Sequence, residues 1–107
     1  MISYISSLEQ LQSIKQSEQL SFVYFKNDKC AVCNSLLPQI SSKINTWNEE
    51  VFVVDCAEYP EIAAQSMVLS VPALKVFYMG QEVISMIRFV DMAKLETDYL
   101  RIKKIIE

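Results

Sequence analysis

The sequence predicts an α/β fold, a central mixed sheet of four to five strands with helices on both faces. Short apolar runs rich in aromatic and β-branched residues alternate with stretches whose apolar residues recur every three or four positions. Near the C-terminus two such runs follow each other directly, with Gly80, the only glycine, between them, which marks a hairpin. Strands separated by helices are parallel neighbours joined by right-handed crossovers, so the hairpin adds an antiparallel pair. The chain has 107 residues, 51% hydrophobic and 21% charged. That is enough to bury roughly two-thirds of the surface of the unfolded chain in one core.

The first strand, at residues 2 to 5, is the weakest. Leu8, Leu11 and Ile14 then repeat at helical spacing through residues 8 to 18, behind Ser6 and Ser7. Ser6 with Glu9, or Ser7 with Gln10, has the spacing of a capping box. LSFVYF at 20 to 25 reads as a buried strand. Cys33, Leu37, Ile40, Ile44 and Trp47 form the apolar stripe of a second helix. VFVV at 51 to 54 is another buried strand, and Tyr59-Pro60-Glu61 opens a third helix with Pro60 at its first position. ALKVFYM at 73 to 79 and EVISMIRF at 82 to 89 are the hairpin strands. Asp91 caps a last helix with Met92, Leu95, Tyr99, Ile102 and Ile106 on one face. With no repeat and no linker, residues 1–107 read as a single domain.

Charge excludes some partners. The formal net charge is −3, and Lys and Arg concentrate only at Arg101, Lys103 and Lys104, where they complement a helix C-terminus. No nucleic acid is expected as a partner. The N-terminal MISYISSLEQ lacks the basic and apolar regions of a signal peptide, and no run reaches the ~20 apolar residues of a membrane span. A cytoplasmic location, no membrane and a monomer are the expectation. Three cysteines without a histidine do not make a disulfide scaffold; in a reducing compartment a close pair is catalytic or metal-binding.

That pair is Cys30-Ala31-Val32-Cys33, after a strand and at the head of a helix. Cys33 is in phase with the buried stripe, whereas Cys30 falls at the helix N-terminus, so one sulfur is expected exposed and the other shielded. The free N–H groups and partial positive charge of a helix N-terminus stabilise a thiolate. Cysteines so placed have pKa values lowered from ~8.5 to ~3.5–7.5. Lys26 and Lys29 add positive charge, partly offset by Asp28. The thiolate is the attacking species in disulfide exchange, which makes Cys30 the nucleophile and Cys33 the resolving thiol. Two blander readings compete: a pair of ordinary core cysteines, or a zinc site. The second lacks ligands, since only Cys56 and carboxylates remain. Cys56, at the end of VFVVD, reads as a small buried hydrophobe.

Across nearly its whole length the chain resembles the thioredoxin family. Besides the cysteine pair, Pro38 stands where thioredoxins place a helix-kinking proline, Val68 and Val71-Pro72-Ala73-Leu74 resemble the segment bearing a cis-proline, and Gly80 fits the turn before the last strand. The resemblance implies a thioredoxin-like fold, a cis Pro72 lying against the two sulfurs, and a Val71 backbone that pairs with an extended substrate. It implies exchange with disulfide-containing protein substrates, recycling by an electron donor (thioredoxin reductase or a low-molecular-weight thiol), and no cofactor and no metal. Departures are as informative. Lys29 precedes the pair where the family has tryptophan, Tyr24 replaces a buried aspartate, and Lys26 replaces a second tryptophan. Ser70 and Arg88 stand at positions of small glycines, and the family's acidic partner residue aligns with Ala57, two residues after Asp55. The substrate-binding set is therefore Lys26, Lys29, Val71, Pro72 and Arg88. A binding or adaptor module that uses the same groove without turnover is the alternative.

Overall fold

The structure is a computed structural model that describes residues 2–107. In chain order its elements are β1 (Ile2–Tyr4), α1 (Leu8–Lys15), β2 (Ser21–Lys26), α2 (Ala31–Asn45), β3 (Val51–Asp55), α3 (Pro60–Gln65), β4 (Ala73–Tyr78), β5 (Gln81–Ile87) and α4 (Met92–Ile106). The strands form one sheet in the order β1-β3-β2-β4-β5. β3 pairs in parallel with β1 and β2, while β4 runs antiparallel to both β2 and β5. The mixed sheet with helices on both faces is as the sequence predicts.

Side chains alternate across a strand, and β2 shows why its run is apolar throughout. Phe22 and Tyr24 face one core with Leu37, Ile40 and Ile44 of α2 and Leu95 and Tyr99 of α4. Val23 and Phe25 face the other, with Leu11 of α1 and Ile62 of α3. These four residues of β2 are fully buried. At about 1.5–3 kcal/mol for each large apolar side chain, this central strand ties the two cores together.

Element ends differ from the periodic reading, each for a local reason. α1 stops at Lys15 because the next carbonyls serve the hairpin: Lys15 O accepts from Gly80 N–H at 2.8 Å and Ser17 O from Met79 N–H at 3.0 Å. Its cap is split over two serines. Ser7 Oγ accepts from Gln10 N–H, and Gln10 Oε1 accepts from Ser6 N–H. α2 ends at Asn45, capped by Thr46, and Asn48 turns the chain with φ +58°. Trp47 thus lies outside the helix yet still packs on that core. The hairpin turn is Met79-Gly80, with φ of +50° and +84° between the paired Tyr78 and Gln81. That is the two-positive pattern of a type I′ turn. β5 stops at Ile87, since Arg88 is left-handed at φ +70°. Pro60 and Asp91 occupy the predicted first-turn and cap positions.

Candidate functional site

The register gathers one set of chain segments at one end of the sheet. Phe25 of β2 pairs with Val54 of β3 and Ala73 of β4, and Ala73 pairs with Ile87 of β5. The residues just beyond these pairs therefore share that end: the 27–30 loop, Cys56, Pro72 and Arg88. The loop is fixed by its own polar atoms. Asn27 Oδ1 accepts from Lys29 N–H at 2.9 Å, Asn27 O accepts from Cys30 N–H at 2.9 Å, and Asn34 Nδ2 donates to Asp28 O at 2.9 Å. Such Asn side-chain turns are a common way to set a tight bend.

The bend delivers Cys30 to the N-cap of α2, where its Sγ accepts from Cys33 N–H at 3.2 Å. Cys30 and Cys33 form a disulfide, with Cα atoms 5.2 Å apart, and Cys56 is free. Cys33 is fully buried. Cys30 is half-buried rather than exposed, because it caps the first turn instead of pointing away from it. Two partly charged ends thus meet here, the sulfur and the helix N-terminus.

Beneath the pair, Tyr24 is completely buried and its hydroxyl donates to Cys33 O at 2.8 Å. Burial pushes its phenol up to about 12. The position that the resemblance gives to a buried acid is thus held by a neutral donor.

Lys26 departs from the sequence reading. It is only 5% exposed, and its ammonium is paired with the exposed Asp28. That hydrogen bond holds the lysine above its usual pKa against the cost of burial, and holds the Asp28 carboxyl below the usual range. The Lys26 charge is thus matched by Asp28 at the surface. Lys29 and Arg88 are exposed, Val71 is half-buried and Pro72 buried. The Val71–Pro72 bond is cis, and Arg88 N–H donates to Pro72 O at 2.7 Å. Cys56 is half-buried rather than buried, with its N–H on Lys26 O at 2.8 Å. Its thiol is pushed up to about 11 by burial and then by the charge of Asp55.

Sequence reasoning missed the exposed apolar side chains Val32, Leu69 and Phe89, which are 61%, 90% and 71% exposed. Val32 stands out of phase with the buried stripe of α2, a signal available in the sequence. Leu69 and Phe89 lie in irregular segments, where periodicity carries no information.

The family model described as Thioredoxin matches residues 4–100. Thioredoxin-like protein YdfQ of Bacillus subtilis is 27% identical over 104 residues, spanning 96% of this chain and 93% of that protein. Thioredoxin 1 from Thermosipho africanus superposes with a TM-score of 0.74 at 29% identity, covering 79% of this chain and 96% of that one. Thioredoxin from Trypanosoma brucei brucei gives a TM-score of 0.83 at 20% identity over 97% of this chain and 92% of that one, a likeness of fold. Among the described residues no helix is long and apolar enough to cross a membrane. With the family model matching most of its length and the cysteine pair at the head of α2, this chain belongs to the thioredoxin family.

Proposed function

We propose that the protein is a thiol–disulfide oxidoreductase acting on protein disulfides, with Cys30 as nucleophile and Cys33 as resolving thiol. One observation carries this reading: Cys30 caps α2, and Cys33 is buried one turn behind it within disulfide reach. In the reduced form the Cys30 thiolate attacks one sulfur of a substrate disulfide. That S–S bond breaks, a Cys30–substrate bond forms, and the leaving thiolate takes a proton from solvent. Cys33 then loses its proton and attacks Cys30 Sγ. The mixed disulfide breaks, the second substrate thiol departs, and the Cys30–Cys33 bond closes. The substrate gains two electrons and the protein loses two. Restoring the dithiol takes two electrons from a donor, thioredoxin reductase or a low-molecular-weight thiol.

The substrate chain lies extended along Val71 and Pro72, with Lys29 and Arg88 at its edge. Lys26 serves from beneath, fixing the 27–30 loop through Asp28. With Cys33→Ser, a substrate attacked by Cys30 stays attached, so a disulfide-bonded test protein should be recovered as a mixed disulfide at Cys30. Recovery of none, from a variant whose Cys30 still alkylates, would leave the binding-module reading in its place.

A further inference from the structure

The chain as a whole carries a net negative charge, −3, yet the rim of the cysteine pair is basic on one side. Lys29 is exposed next to Cys30, and Arg88 is exposed with its backbone N–H fixed on Pro72 O at 2.7 Å. Among the described residues neither takes part in an ion pair. The nearby acids are otherwise engaged. Asp28 is matched by Lys26, and Asp55 Oδ1 accepts from the N–H groups of Ala57 and Glu58. Glu58 is exposed but follows β3, on the opposite side of β2 from β4 and β5. Asp91 follows Arg88 by three residues, and its Oδ1 accepts from Lys94 N–H. Val32, Leu69 and Phe89 add exposed apolar surface around the same end.

We propose that this rim selects disulfide substrates whose extended chain is acidic beside the reacting cysteine. Arg88 and Lys29 receive the carboxylate, while Val32, Leu69 and Phe89 receive an apolar neighbour. The inference rests on the exchange reading above and adds a substrate class to it. A carboxylate arriving at a rim that carries two cations without ion pairs is favoured in the encounter, and salt weakens that preference. A lysine at the same place is repelled.

Three synthetic peptides test it, identical except for Glu, Gln or Lys beside a single cysteine, each activated as the neutral 2-pyridyl disulfide. Stopped-flow release of pyridine-2-thione by the reduced protein gives the attack rate. At low salt the Glu peptide should react on the order of tenfold faster than the Lys peptide, with Gln between. The ratio should shrink at 1 M salt, where the screening length falls to about 3 Å. Arg88→Gly suits the positive φ at this position and should shrink the ratio severalfold, Lys29 keeping the remainder, whereas Arg88→Lys should preserve it. Equal wild-type rates on the Glu and Lys peptides, or a ratio unchanged in Arg88→Gly, would overturn the selectivity while leaving exchange intact. No release from any peptide would overturn the exchange reading itself and the selectivity with it.

Discussion

Tyr24 decides how the second half-reaction depends on pH. Its hydroxyl is a donor to Cys33 O and, with its pKa near 12, has no capacity to take the Cys33 proton at neutrality. Release of a mixed disulfide should therefore be slower than its formation at pH 7. It should accelerate as pH rises, because the required species is the deprotonated thiol. Rapid-mixing measurement of attack and release from pH 6 to 9 checks this; release as fast as attack and flat with pH would reveal another base. Tyr24→Asp should speed release near neutrality, and Tyr24→Phe, which keeps the ring, should leave the pH slope in place. Cys56 supplies a second test. With its pKa raised from 9.0 to about 11, little of it is thiolate at pH 8, so alkylation of the reduced protein should reach Cys30 far sooner, and labelling of Cys56 should rise toward pH 11. At this scale the sequence showed which residue stood where and little of what it touched. Tyr24 was legible as a missing acid, but its bond to a backbone carbonyl nine residues away depends on how α2 docks on β2. Lys26 looked like free charge because a sequence pattern does not distinguish a buried, matched ammonium from an exposed one.

The turn between β4 and β5 places Met79 in the left-handed region at φ +50°, with its side chain mostly exposed. Left-handed backbone costs a side-chain-bearing residue about 1–2 kcal/mol, while Asn tolerates it. Met79→Asn should therefore raise stability by about 1 kcal/mol, measured by urea unfolding; no gain would mean that Met79 makes a compensating contact. In the opposite direction, Asp91→Ala removes the acceptor of Lys94 N–H at the start of α4 and should cost about 1 kcal/mol. Among the described residues all nine elements were legible from periodicity and punctuation, most because they bury a face, β1 being the weakest because it does not. Their ends were less so. Trp47 kept the phase of the α2 stripe after the helix had stopped, because a core contact satisfies the pattern whether or not the backbone stays helical. β5 lost its last two predicted residues to Arg88, whose positive φ no propensity announces.

Across the whole molecule the buried acids and Lys26 shift in one direction. Tyr24 and Cys56 are raised to about 12 and about 11, Tyr99 is raised further still by burial and its bond to Glu49, and Lys26 is raised by Asp28. Between pH 9 and 12 the folded chain thus keeps protons that the unfolded chain releases, and stability falls as pH rises through that window. Melting followed by circular dichroism should show Tm declining above pH 9, with a shallower decline in Tyr24→Phe; a flat profile to pH 11 would contradict these shifts. Trp47, the sole tryptophan, stacks on Tyr99 with ring centroids 4.1 Å apart. The 15 residues of α2 separate it from the disulfide by about 22 Å. Its fluorescence is therefore a reporter of the core and not of the sulfurs, dark to electron transfer and sensitive to melting. A change in emission on reduction would reveal that opening the disulfide is felt along the full length of α2.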